Sequence, residues 1–128
     1  MSTKLDLLIK FKNTLVSFID EIIEQFPHDS DLIICRIYIK DQIPVVSLID
    51  LFIKYFLPQK QLIINKDEEF FLTGTKDFFQ DLNIKTNIFQ KIWQSNVLDS
   101  EDRDIIWEWV NSIVTIVEKY HNLPLDKL

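Results

Sequence analysis

From residue 4 to residue 26 apolar side chains recur at three- and four-residue intervals: Leu5, Leu8, Ile9, Phe11, Leu15, Phe18, Ile19, Ile22, Ile23 and Phe26. That period predicts one amphipathic helix, with Lys10, Asn13, Ser17, Asp20, Glu21 and Glu24 on the solvent side. Pro27 ends it, because the residue before a proline is pushed out of the α region. His28-Asp29-Ser30-Asp31 then offers cap side chains and early negative charge for a second helix reaching about Lys40. The run LIICRIYIK is rich in β-branched residues and half alternates, so a strand over 32–40 stands as the alternative.

Pro44 sits where a first helical turn tolerates proline, and Val45 to Leu57 is apolar except for a narrow face of Ser47, Asp50 and Lys54. Asp50 and Lys54, four apart with the acid first, are placed to pair. Pro58 ends or kinks this helix. Asp67-Glu68-Glu69 opens a short helix through Phe70-Phe71-Leu72, and Gly74, the only glycine, is expected to cap it with a positive φ before Lys76 to Leu82 turns again. Asn83 is expected to cap a helix carrying Ile84, Ile88, Phe89, Ile92 and Trp93 and ending near Val97. Ser100, followed by Glu101, Asp102 and Asp104, begins the last helix, whose expected buried stripe is Ile106, Trp109, Val110, Ile113, Ile116, Val117 and Tyr120. Pro124 and Asp126-Lys127 close the chain. No repeat or linker interrupts this order, so the expected fold is all-α: residues 1–128 as a single domain, a compact bundle of about five or six helices around an apolar central helix, 45–57.

Composition agrees with a folded chain, since 47% of residues are hydrophobic and 27% charged. Ile is favoured, Ala is absent and Gly occurs once, a bias of AT-rich coding sequence. The net charge of −6 is the wrong sign for holding nucleic acid through phosphates, so no nucleic-acid partner is expected. Lys4, Lys10 and Lys12, with Asp6 among them, read as an exposed helix face. The single Cys35 lies in an apolar run as a small buried hydrophobe. With no apolar leader segment and no N-x-S/T sequon, the expected location is intracellular and cytoplasmic. Ile43 to Leu57 is too short to cross a bilayer and carries Asp50 and Lys54, so no membrane span is expected.

Candidate chemistry is sparse. His28 and His121 fall at opposite helix ends, no HExxH or CxxC spacing occurs, and Cys35 has no flanking nucleophile motif. The acidic runs Asp67 to Glu69 and Asp99 to Asp104 both begin helices, where capping explains them. No catalytic, cofactor-binding or metal residue is therefore assigned, no cofactor is expected, and the chain is read as a non-enzyme. What is in surplus is apolar: Trp107, Phe70, Phe71, Phe78, Phe79 and Tyr38 exceed what one small core is expected to hold. Trp107, two positions from Trp109, points to another side of its helix. Trp107, Phe70, Phe71, Phe78 and Phe79 are accordingly the candidate protein-binding residues. The alternative is that Trp107 packs under the Phe70 to Phe79 segment.

The strings FPHDSDL, NKDEEFFL and DIIWEWVNSIVTIVEKY together resemble small helical proteins of large, AT-rich nucleocytoplasmic DNA viruses. The resemblance implies a virus-encoded protein of the host cytoplasm or virion that acts through protein contacts. An apolar central helix over Val45 to Leu57 also resembles the viral relatives of the Bcl-2 fold, although no Asn-Trp-Gly-Arg-like stretch is present and Gly74 lies in a turn. The expected function is thus protein–protein interaction or a structural role, as a viral assembly or virion component that associates with a protein partner or with itself as a homo-oligomer. A Bcl-2-like antagonist holding a host amphipathic helix in a groove is the alternative.

Overall fold

The computed structural model describes residues 3–84 and 87–124, which form helices joined by short turns with no strand among them. The expected closing residues Asp126-Lys127 lie outside the described residues. Helix α1 spans Lys4–Gln25 and starts from Thr3, whose hydroxyl accepts from the Asp6 amide at 3.1 Å while the Asp6 carboxylate accepts from the Thr3 amide at 3.2 Å. This reciprocal cap satisfies two amides that the helix itself leaves without partners. The buried stripe begins Lys4, Leu7, Leu8, Phe11. Leu5 and Ile9, expected inside, stand one step round the helix from that stripe and face outward.

Helix α2 covers Ser30–Ile37 and continues through a π-helical turn, Tyr38–Gln42. The helical expectation for 32–40 therefore holds over the strand alternative. Leu32, Cys35 and Ile39 turn inward at helical spacing, and that burial outweighs the extended preference of the β-branched residues between them. Helix α3 spans Val45–Tyr55 and passes at Pro58 into a 3-10 turn, Leu57–Gln59, followed by α4 at Lys60–Ile64. It packs on α1 and carries Leu48, Ile49 and Phe52 into the core, leaving Ser47, Asp50 and Lys54 exposed. Lys54 lies 3.9 Å from Asp81 on another element rather than pairing along its own helix with Asp50. A second π-helical turn, Phe70–Gly74, precedes α5 at Lys76–Asp81, which α3 also touches. Helix α6 is Ile88–Trp93 and α7 is Ser100–Asn122.

Three local expectations are corrected. Gly74 does not have a positive φ. Its lack of a side chain serves a close approach: a Cβ there would stand 2.0 Å from Oε1 of Gln59, whose amide nitrogen donates to the carbonyls of Gly74 and Tyr55. Asn83 does not start the next helix but ends α5, at φ 58, with its amide bonded to Gln80 O and that of Ile84 to Phe79 O. Lys66 ends α4 in the same way, at φ 53, with its amide on Ile63 O and that of Asp67 on Leu62 O. Both are Schellman closures, which require the left-handed conformation that asparagine tolerates and lysine does not favour. Helix α6 accordingly begins four residues later than Ile84 and ends at Trp93 rather than near Val97.

Helix α7 is the longest and lies along α1 and against α3 and α4. The two long helices are antiparallel, because Lys4 at the start of α1 bonds Tyr120 near the end of α7, and Glu21 near the end of α1 accepts from Trp109 Nε1 at 3.2 Å. Asp99 caps α7 with the same reciprocal arrangement as α1, its carboxylate accepting from the Asp102 amide at 2.8 Å. The buried side chains form one contiguous core rich in aromatic rings in edge-to-face contact, among them Phe11 on Phe52 at 5.0 Å and Phe79 on Phe89 at 5.1 Å.

Candidate functional site

Trp107, Phe70, Phe71, Phe78 and Phe79, expected at the surface, are all buried. Trp107 stands 4.7 Å from Phe71 and 5.3 Å from Trp93 between ring centroids, and Phe71 stacks on Trp93 at 4.3 Å. Trp107 thus packs under the phenylalanine segment, and the five residues are core rather than a docking face. The reason is the breadth of the buried side of α7. Trp107 and Val114 add a second inward row beside Ile106, Val110, Ile113 and Val117, because α4 and the Phe70–Gly74 turn cover that flank. Trp109, assigned to the stripe, sits at its edge, half-buried, stacked on Phe18 at 5.9 Å and held by Glu21.

Of the aromatic surplus only Tyr38 stays exposed, and it belongs to a group that the sequence reading did not single out. Ile33, Ile34, Ile37 and Tyr38 are 40%, 45%, 46% and 37% exposed. They occupy positions i, i+1, i+4 and i+5 of one continuous helical run, so they share the outward side of α2. Single exposed apolar residues are ordinary, but four adjacent ones on a short helix form a patch. The signal in the sequence was that LIICRIYIK is apolar on more sides than one small helix can bury.

The patch rests on a fixed helix. Asp29 caps α2, its carboxylate accepting from the Leu32 amide at 3.2 Å, and Lys91 of α6 lies 3.0 Å from Asp29 and 3.6 Å from Asp31. Burial alone pushes the Asp29 carboxyl up, but the hydrogen bonds from Lys91 and the Leu32 amide outweigh it and hold the group below the usual range. Arg36 donates to Asp20 of α1 at the other end, which raises the guanidinium further. On the inward side Cys35 is buried, and burial pushes its thiol up to about 12, far from the thiolate needed for nucleophilic chemistry.

Among the remaining polar candidates, the acidic ones hold structure. His28 and His121 are exposed at helix ends. Glu68 accepts from Trp93 Nε1 at 3.2 Å, Asp67 accepts from the Glu69 amide, and Asp99 and Asp102 cap α7. Among the described residues no group of three or more His, Cys, Asp or Glu could hold a metal ion. No described helix is long and apolar enough to cross a membrane. Lys4, read as part of an exposed basic face, is instead buried against Tyr120. Arg103, which drew no attention in the sequence, donates to the carbonyls of Trp93, Ser95 and Leu98 and so fastens the loop between α6 and α7.

Beside α3 lies a wholly apolar void of about 30 Å³ whose walls include Leu15, Cys35, Phe52, Phe78 and Val114. It has the size of a packing defect and falls far short of a groove for a partner helix. No family model matches the sequence, and no curated protein and no solved structure matches it.

Proposed function

We propose that the protein acts by protein contact rather than catalysis, and that the exposed apolar face of α2 is its docking surface, with a second copy of the chain as the occupant. The observation that carries this reading is the grouping of Ile33, Ile34, Ile37 and Tyr38 on one side of a helix that is pinned at both ends. A two-fold pairing of α2 with itself matches the patch in length and sets Ile33 and Ile34 against Ile37 and Tyr38 of the other copy, as an isologous contact requires. Antiparallel pairing also opposes the two helix dipoles. Such a self-associating helical module suits an assembly or virion component, the role implied by the resemblance to viral helical proteins. The groove-binding alternative has less support, because the void beside the middle of α3 measures only about 30 Å³ and the open groove at its start, by Val45, about 190 Å³.

The test is the sedimentation behaviour of the intact chain across dilution, beside Ile34→Glu/Ile37→Glu. A concentration-dependent dimer that the double variant converts to a folded monomer is the expected result. A parent that stays monomeric at high concentration overturns self-association, and a dimer that survives the double variant places the contact elsewhere.

A further inference from the structure

The antiparallel packing of α1 and α7 leaves a surface groove of about 410 Å³ between them, lined by Lys10, Thr14, Trp109, Ser112, Thr115 and Lys119 with Asn111 and Ile116. Its charge is unusual for this chain. With 20 acidic and 14 basic residues overall, the groove walls carry two lysines and no carboxylate. Lys54, Lys60, Lys66 and Lys91 each lie within ion-pair distance of an acid, whereas among the described residues Lys10 and Lys119, like Lys4, Lys12, Lys40 and Lys76, do not; what sets Lys10 and Lys119 apart is that they line one groove together. Lys119 has a structural reason to be in the last turn of α7, where a cation complements the helix dipole. Lys10 has none, since it sits in the N-terminal half of α1.

The order of these side chains along the groove follows from helix geometry. Because Lys4 meets Tyr120 and Glu21 meets Trp109, Lys10 falls beside the Ile116 to Lys119 turn and Thr14 beside Ser112 and Thr115. Both cations therefore share one end, the hydroxyl groups lie in the middle, and Trp109 stands at the other end, about 15 Å along the axis from Lys119 at the usual helical rise. The indole is fixed: Phe18 stacks on it and Glu21 holds its Nε1. Two cations, then hydroxyls, then an aromatic wall is the sequence of groups that complements a phosphate, a sugar and a planar ring.

We infer that the α1–α7 groove binds a small phosphate monoester bearing a planar ring, of the mononucleotide class, with the phosphate between Lys10 and Lys119 and the ring against Trp109. A volume of this size is in the range of small-molecule sites. The site is separate from the α2 face, so either proposal can fail alone.

The test is titration of the full chain with adenosine monophosphate, adenosine and inorganic phosphate, read by calorimetry and by backbone amide shifts. Adenosine monophosphate is expected to move amides around residues 10–14 and 109–119, to bind more tightly than either fragment, and to weaken as salt rises. Lys10→Gln/Lys119→Gln, two exposed positions, should reduce its affinity about tenfold or more while the variant stays folded, its melting temperature falling only by the small amount expected from losing the Lys119 charge at the end of α7. Trp109→Phe should narrow the advantage of the monophosphate over inorganic phosphate. Three results overturn the inference: no shifts in the groove at millimolar adenosine monophosphate, equal binding of adenosine and its monophosphate, or unchanged affinity in the double lysine variant.

Discussion

The Nζ of Lys4 lies 3.1 Å from the carbonyl oxygen of Tyr120 and 4.2 Å from the centroid of the same residue's ring. The first helical residue thereby supplies the cation for the last turn of the last helix, where carbonyls lack helical partners. Lys4→Met keeps the apolar stem but removes the charge and the donor. It is expected to cost about 1–2 kcal/mol in urea unfolding. Lys10→Met, on the same helix but exposed, should change stability by no more than about 0.5 kcal/mol.

Lys66 closes α4 at φ 53, a conformation that costs an L-residue about 1 kcal/mol relative to glycine. Lys66→Gly should therefore stabilise the fold by up to about 1 kcal/mol, less the loss of its exposed ion pair with Asp104 at 3.5 Å. A lower melting temperature in this variant would refute the cap assignment.

Gly74 and Gln59 are coupled by contact. Gly74→Ala drives a Cβ into the Gln59 amide and should destabilise the protein by about 1–3 kcal/mol, through overpacking and loss of the bond to the Gly74 carbonyl. Combining it with Gln59→Ala removes the clash, so the double variant should be more stable than the sum of the singles predicts. Additive costs would show that the two side chains do not share one space.

The Cys35 thiol sets an alkaline limit. Burial raises it from 9.0 to about 12, so the folded chain holds this proton after the unfolded chain has released it. The contribution is complete below pH 9 and is lost as pH climbs toward 12, at about 1.4 kcal/mol per pH unit. Tyr120, raised by burial and then by the charge of Asp50, acts in the same direction as pH rises above 10. Comparing denaturant midpoints with Cys35→Ala isolates the thiol: the variant starts less stable but should fall less steeply between pH 9 and pH 11.

The fold was legible where period and punctuation agreed. Pro27, Pro44 and Pro58 mark real boundaries, Asp29 is a real cap, and α1 and α7 largely follow their apolar spacing, whereas the Thr3 cap of α1 was not read from the sequence. Errors came where a residue's role depends on a neighbour remote in sequence. Gly74 is a glycine because of Gln59, Lys4 is buried because of Tyr120, and Trp107 turns inward because the Phe70–Gly74 turn lies over it. The candidate surface was misplaced for the same reason. The aromatic residues pack mostly on one another, and the large apolar side chains left outside are mainly aliphatic, those of the α2 face beside others such as Leu5, Ile9 and Val46.

The nesting of Trp93 and Trp107 also has an optical consequence. At 5.3 Å between ring centroids, with the ring planes 69° apart, the two indoles are close enough for their electronic transitions to couple, so a couplet in the circular-dichroism spectrum that disappears in Trp93→Phe or Trp107→Phe is the expected signature. Trp109, half-buried at the edge of α7 and held against Phe18, stands outside that pair in a more solvent-exposed setting. One polypeptide thus carries two spectroscopic reporters. The coupled pair tracks the integrity of the interior around the Phe70–Gly74 turn, while the lone indole tracks events in the groove between the two long helices.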